Sequence, residues 1–307
     1  MNALDQRPQG VHVFERGWLS ANNILLMDGE SAVLIDSGYV SHAPQTVALV
    51  QQALNGRTLD VLLNTHLHSD HCGGNNALQQ TYPSLQTWIP PGHATAVASW
   101  DEEALTYKPT GQDCPRFTFQ GLLQPGTEVC LAGVNWQVHA APGHDPHSVI
   151  LFEPVQRTLI SADALWQHGF GVVFPELEGI AAFHEVAQTL DLIESLDPRW
   201  IIPGHGAPFH DSHKPLEFAR QKLHAFERHP EKHARYGAKV LVKFKLLEWN
   251  QIDKESFVIW AQKSHYLKAL HQLQASQQAF TEWLDMILGE LIKSNALQVD
   301  GKILRDI

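Results

Sequence analysis

Residues 65–71 read Thr-His-Leu-His-Ser-Asp-His, so three imidazoles and one carboxylate fall within six residues. Polar groups at this density are costly to bury unless they are paired, and a bound cation is the usual partner. The apolar residues 61–63 predict a short buried strand before the cluster, and glycines at 73 and 74 permit a tight turn into a helix. The sequence therefore predicts a metal site on a loop at a strand end. Its first four candidate ligands are His66, His68, Asp70 and His71.

Further donors occur later in the chain, each after a short apolar segment typical of a buried strand. These donors are His144, Asp163 and His205. A single histidine at a strand end is more often a structural residue than a ligand. Together with the first four donors, however, they give the order His, His, Asp, His, His, Asp, His. Asp163 also lies in an apolar stretch, where an unpaired carboxylate would be costly to bury.

This order and spacing resemble the motifs of the metallo-β-lactamase superfamily, over roughly residues 10–210. The resemblance implies two metal sites. The first metal would be held by His66, His68 and His144, and the second by Asp70, His71 and His205. Asp163 would bridge the two metals, and Asp36 would be a structural aspartate near the site. One departure is Asp145-Pro146-His147-Ser148, where many relatives have Thr-Pro-Gly, and it weakens inferences about the substrate.

The resemblance also implies the fold class, α+β. Residues 1–210 would form an αββα metallo-β-lactamase sandwich, and residues 211–307 a mostly helical C-terminal domain. The charge distribution supports this boundary, because the net charge is −14 before it and +3 after it. Gly206-Ala207-Pro208 also interrupts regular structure at this point.

The C-terminal segment has two local signals. Apolar residues recur at helical spacing from Phe280 to Ile292 and predict an amphipathic helix. Asp300-Gly301 lies between two short apolar runs and predicts a β-hairpin. Helices ending in a hairpin resemble a winged-helix domain. We interpret the segment as a cap over the active site or a dimerisation element, because only Lys302 and Arg305 would make the hairpin basic enough for nucleic acid.

Composition narrows the expected location and partners. No apolar run approaches the 18 residues that suggest a membrane span, and no secretory signal is visible at the start. The three cysteines form no disulfide framework, which favours a cytoplasmic location, and Cys72 is interpreted as a packing residue. The net charge of −11 argues against tight binding of phosphate backbones. The expected partner is a small-molecule substrate, without nucleic acid or membrane, and a homodimer is left open.

The donor types predict the chemistry. Nitrogen and carboxylate ligands without thiolates suit two divalent metal ions, with Zn²⁺ first and Fe or Mn²⁺ as alternatives. Such a pair holds a bridging water and makes hydroxide available at neutral pH. Asp70 is the predicted catalytic residue, as a ligand that also orients this hydroxide.

The substrate is less constrained than the metals. Aromatic residues within 100–120 and 166–174 either wall the pocket or pack the edge of the sandwich. Tyr107, His147 and His168 are the candidate substrate contacts. The leading hypothesis is a dinuclear metal-dependent hydrolase of small esters, thioesters or lactones. The alternatives are a metal-dependent nuclease for RNA or single-stranded nucleic acid, and a mononuclear iron dioxygenase of persulfide type.

Overall fold

Two six-stranded mixed sheets form the centre of the protein. The computed structural model describes residue 8 and residues 10–307. The first sheet has the order β1-β2-β3-β4-β5-β6. Its strands are β1 Val11–Phe14, β2 Asn23–Met27, β3 Ala32–Ile35, β4 Val61–Leu63, β5 Gln86–Ile89 and β6 Gly121–Leu122. Neighbours are antiparallel from β1 to β3 and parallel from β3 to β6.

The second sheet has the order β12-β11-β10-β9-β8-β7. Its strands are β7 Glu128–Leu131, β8 Val134–Ala140, β9 Val149–Glu153, β10 Thr158–Ala162, β11 Trp200–Pro203 and β12 Phe209–His210. Only β10 and β11 are parallel, and every other neighbouring pair is antiparallel.

Both faces of the central strands are apolar, because each sheet is covered on two sides. In the first sheet Ile35 faces the second sheet, where it packs in one cluster with Leu151 and Ile202. Its neighbour Leu34 points to the opposite face and packs with Val50 of a surface helix. This alternation follows from the two-residue period of a strand. It produces four layers, and the prediction of an αββα sandwich is confirmed.

The outer layers consist of helices on each sheet. On the first sheet lie α1 Ala43–Leu54 and α3 Asn75–Thr81, and on the second lie α7 Phe183–Leu196 and α8 His213–Arg228. Shorter helices occupy the connections: α2 Ser69–Cys72, α4 Ala94–Ser99, α5 Tyr107–Thr110 and α6 Phe174–Leu177. Two single 3₁₀ turns precede α1 and α4, at Val40–His42 and Pro91–His93.

The C-terminal part is mostly helical, as predicted. Its elements are α9 Pro230–Trp249, β13 Gln251–Asp253, α10 Lys254–Lys263, α11 His265–Ala275, α12 Phe280–Lys293, β14 Leu297–Asp300 and β15 Ile303–Asp306. The apolar stripe of α12 is buried around Trp283, although Ile292 at its end is 44% exposed. The predicted hairpin is β14–β15, with Gly301 in its turn at φ 61°. β13 extends it to a three-stranded sheet.

Helix α8 follows the predicted boundary at residue 210, but it packs with the catalytic half. Leu216, Leu223 and Phe226 of α8 pack in the same cluster as Ile201 of the second sheet. By packing, therefore, the helical C-terminal unit begins with α9 at Pro230. Among the described residues, no helix combines the length and apolar character needed to cross a membrane.

Candidate metal centre

The candidate ligands converge at one end of the two sheets. Asp36 directly follows β3, and His66 lies three residues after β4, which is parallel to β3. Asp163 directly follows β10, and His205 lies two residues after its parallel neighbour β11. Parallel strands bring their carboxyl ends to the same edge, so these side chains from distant parts of the chain meet there. His144 joins them from the loop between β8 and β9.

Three histidines form the first ligand group. His68 Nδ1 lies 3.1 Å from His66 Nε2 and 2.8 Å from His144 Nε2. The other ring nitrogen of His144 lies 2.6 Å from the carbonyl oxygen of Val172 and can donate its hydrogen there. Nε2 of His144 is then the unprotonated nitrogen, and its lone pair faces the other two rings.

The second group consists of Asp70, His71 and His205. Asp70 Oδ2 lies 3.2 Å from His205 Nε2 and 3.9 Å from His71 Nε2. Asp163 lies between the two groups, because its Oδ1 is 3.5 Å from His71 Nε2 and its Oδ2 is 3.4 Å from His144 Nε2. The structure thus brings all seven predicted ligands together, with Asp163 between the two groups.

The donor set fits divalent cations. His71 Nδ1 lies 2.8 Å from Asp36 Oδ2, while the buried His71 Nε2 has no hydrogen-bond partner among the described residues. An imidazole that donates from Nδ1 presents a lone pair at Nε2, and this nitrogen faces two carboxylates. Lone pairs and carboxylates pointing at one another in a buried site repel unless a cation lies between them. Imidazole and carboxylate donors suit Zn²⁺, Fe and Mn²⁺.

The local electrostatics shift the pKa values of most of these side chains toward the protonation state that binds a cation. Burial and the neighbouring imidazoles lower the pKa of His68 to about 4 and that of His66 well below its usual value. Burial opposes ionisation of Asp163, but the facing imidazoles prevail and lower its pKa. For His71, burial is outweighed by the facing carboxylates, Asp36 foremost, which raise its pKa. Metal binding at His71 must therefore displace a proton, so metal affinity should fall at acidic pH.

Two residues shape the site without belonging to the seven ligands. Asp36 accepts hydrogen bonds from the backbone N–H and the hydroxyl of Thr65, at 2.9 and 2.8 Å, and so fixes the strand end before His66. Gly204 allows Asp163 to approach, because a Cβ at that position would lie 2.2 Å from Asp163 Oδ1. The position of Asp36 near the site agrees with the family resemblance, whereas no sequence pattern indicated the role of Gly204.

Comparison with known proteins agrees with this geometry. The family model described as the metallo-β-lactamase superfamily matches residues 16–205. The chain belongs to the metallo-β-lactamase superfamily. Members of this superfamily, hydroxyacylglutathione hydrolases among them, are metal-dependent hydrolases, and the resemblance inferred from the motifs is confirmed.

Individual relatives cover different parts of the chain. A "Beta-lactamase-like protein 2 homolog" from Drosophila melanogaster is 29% identical over 192 residues, which are 60% of this chain and 58% of the fly protein. A hydroxyacylglutathione hydrolase from Haemophilus influenzae is 25% identical over 191 residues, 59% of this chain and 82% of that protein. A metallo-β-lactamase family protein from Thermus thermophilus has a TM-score of 0.58 at 17% identity, covering 98% of this chain and 99% of that chain. The likeness of fold therefore extends through the C-terminal helices.

The three predicted substrate contacts are not brought to the metal centre of this superfamily member. Tyr107 is buried, its hydroxyl donates to the carbonyl oxygen of Leu67 at 3.0 Å, and it is not among the described residues that line the cavity at the metal centre. His168 is exposed, with its ring 5.8 Å from that of Phe218. His147 is exposed and packs edge-on against His93. Neither histidine lines the cavity at the metal centre, as far as the described residues show.

The cavity at the metal centre, of about 150 Å³, has walls that sequence reasoning missed. Asp70 and Asp163 lie at its base, and Trp166 and Phe174 from the predicted aromatic segment form part of its wall. The other apolar walls come from Val172, from Trp18, before β2, and from Tyr236, Val240, Leu241 and Phe244 of α9. Helix α9 of the C-terminal unit thus forms part of the cavity wall. No motif marks Trp18 or the α9 residues, because they reach the site only through tertiary packing.

Asp145 lies beside the candidate ligand His68, and its substitution tests whether it supports metal binding. The buried carboxylate lies 3.8 Å from His68 Nε2, the ring nitrogen opposite the one in the first ligand group. Such partners typically contribute about tenfold to a hundredfold to metal affinity. We expect Asp145→Asn to weaken metal binding by about tenfold or more, measured by competition with a chelating dye. The exposed Asp211→Asn is the control. Equal affinity in both variants would show that Asp145 has no such role.

Proposed function

We propose that this chain is a dinuclear metal-dependent hydrolase of a small ester, thioester or lactone. The observation that carries the proposal is the position of Asp163, whose two oxygens lie 3.4–3.5 Å from one histidine of each ligand group. A carboxylate between two ligand groups can offer one oxygen to a cation in each group, which favours a site for two cations over a site for one. The proposal takes Zn²⁺ as the metal, with Fe or Mn²⁺ as alternatives.

When bound, a pair of divalent ions activates water and polarises the oxygen of an electrophile. The protein side chains position the ligands and handle the proton of the attacking water. Asp36 fixes the ring of His71, with Oδ2 2.8 Å from Nδ1. Asp70 lines the cavity, and its side chain is 15% exposed against 5% for Asp163. It is therefore placed to orient the attacking water and to accept its proton at a carboxylate oxygen.

The cavity favours a small acyl compound. Its walls beyond the ligands are mainly apolar, with Trp18, Trp166 and Phe174 among them. Apolar walls exclude water and strengthen the electrostatic interactions within the site. The relative from Haemophilus influenzae is a hydroxyacylglutathione hydrolase, an enzyme that also acts on an acyl compound.

The two alternative functions have less support. A nuclease needs free cationic side chains near the metals. On α9, however, Lys239 lies 3.4 Å from Glu290 and Lys243 lies 2.5 Å from Asp306, so these charges are already paired. A dioxygenase needs only one metal, so the second group of candidate ligands would have no metal to bind. In that group Asp70 Oδ2 lies 3.2 Å from His205 Nε2.

A substrate panel tests the proposal. We expect metal-loaded protein to hydrolyse at least one thioester, ester or lactone with a kcat/KM of about 10⁴ M⁻¹s⁻¹ or more, and to lose the activity after chelation and recover it on addition of Zn²⁺. Single-stranded RNA and a persulfide with oxygen uptake complete the panel. Turnover of RNA or persulfide alone would contradict the proposal and favour the corresponding alternative.

A further inference from the structure

A second cleft continues from the cavity at the metal centre. It has a volume of about 330 Å³, within the range typical of small-molecule sites. Four residues line both spaces: Trp18, Tyr236, Val240 and Phe244. Because the two spaces share a wall, a ligand at the metals can extend directly into the second cleft.

The floor of the second cleft is a stripe along α9. Tyr236, Val240, Phe244 and Leu247 are spaced four, four and three residues apart, which places them on one face of the helix. The cleft ends at α12, where Leu291 lines it. The groove therefore follows one face of α9, and most of its lining side chains are apolar.

The cationic side chains at the groove do not supply a free charge for an anionic ligand. Lys243 Nζ lies 2.5 Å from Asp306 and 2.7 Å from the carbonyl oxygen of Ala296. Lys239 Nζ lies 3.4 Å from Glu290. With their charges paired elsewhere, the two lysines contribute mainly their aliphatic stems to the groove. This arrangement suits an uncharged chain better than a phosphate or a carboxylate.

Trp18 lies where the two spaces meet. Its ring stacks on that of His205 at 5.4 Å between centroids, and it meets Trp166 edge-on at the same distance. The Trp18 side chain is nevertheless 57% exposed. An exposed indole over a metal ligand, at the entrance of an apolar groove, offers a ligand a large contact surface at little entropic cost.

We infer that the substrate carries a linear apolar acyl chain, which occupies this groove while its carbonyl lies at the metal centre. The inference rests on the proposed function and narrows it, from small acyl compounds in general to those with medium-length alkyl chains. Burial of a methylene stabilises a complex by an amount equal to about threefold to fourfold in affinity. Each added methylene that enters the groove should therefore raise kcat/KM by up to that factor.

A chain-length series tests the inference. The substrates are thioesters of N-acetylcysteamine, from acetyl to decanoyl, with metal-loaded protein. We expect kcat/KM to rise by about a hundredfold or more across the series.

Variants that fill the groove test its role in this preference. Leu247→Trp, which fills the groove beyond the shared wall, should lower the ratio of kcat/KM for the decanoyl to the acetyl thioester by about tenfold or more. Ser294→Trp, at the exposed far end, provides a second filling variant, expected to penalise only the longest chains. Leu273→Trp is the matched control, because Leu273 is 67% exposed on α11 and lines neither space.

Direct binding separates this inference from the proposed function. Calorimetry with decanoate and acetate should show tighter binding of decanoate, and Leu247→Trp should abolish most of the difference. If decanoate binds in this way but no thioester, ester or lactone is hydrolysed, the groove is supported and the proposed reaction is wrong. If thioesters are hydrolysed but chain length and Leu247→Trp have no effect on rate or binding, the proposed function stands and the groove assignment is overturned. Preference for glutathione thioesters over all alkyl thioesters would likewise overturn it.

Discussion

Asp70→Asn is expected to lower kcat by about a hundredfold to ten-thousandfold on any accepted substrate, with a smaller change in KM. The amide keeps the shape of the carboxylate but loses its negative charge and its capacity to accept a proton. Asp70 Oδ2 lies 3.2 Å from His205 Nε2, and the side chain lines the cavity at the metal centre. The measurement is steady-state kinetics on protein whose metal content has been determined.

The control for Asp70→Asn is Asp300→Asn, in the exposed hairpin of the C-terminal unit. It changes the net charge equally and should retain wild-type kcat. Activity of metal-replete Asp70→Asn within a few-fold of wild type would mean that another group activates the water, and the role assigned to Asp70 would be wrong.

Wild-type protein is expected to bind two metal ions per chain, and Asp163→Asn to bind one or none with a loss of activity of several orders of magnitude. The Asp163 carboxylate contacts His71 at 3.5 Å and His144 at 3.4 Å, so its negative charge lies between the two groups. An amide cannot offset the repulsion of two cations in a buried site. Elemental analysis at metal saturation gives the stoichiometry directly.

Two outcomes would contradict a dinuclear site. One is a single metal per wild-type chain at saturation. The other is an Asp163→Asn variant that keeps both its metal content and its activity. Loss of both metals in the variant would still agree with a bridging role, provided that circular dichroism shows an intact fold.

Short-range patterns determined a large part of the catalytic half. The cluster from His66 to His71 and the later donors His144, Asp163 and His205 can be read from the sequence, because each follows an apolar strand and metal ligands are few in type. The two-residue alternation in strands and the helical stripe ending at Ile292 likewise predict their elements, since backbone geometry sets both periods. The family and the sandwich fold followed from these motifs and are confirmed.

The substrate side of the site could not be read in the same way. Tyr107 lies in an aromatic-rich segment that predicts a pocket wall, yet its hydroxyl bonds to the backbone of Leu67 beneath the metal loop. Aromatic composition alone does not distinguish a ring that faces a ligand from one that fills the core. The same limit applies to α8, whose apolar face packs on the second sheet although its charge pattern groups it with the C-terminal unit.

By itself, then, the sequence determined which side chains can bind metal and which strands carry them, because ligand chemistry and strand periodicity are local. The tertiary structure alone decided what covers the metals. Trp18 and Phe244 are separated by more than 200 residues, yet both line the cavity beside His205. Their meeting depends on how α9 packs across the ends of two sheets. That packing is set by the complementary shapes of many apolar surfaces rather than by any motif, and so it appears only in the folded chain.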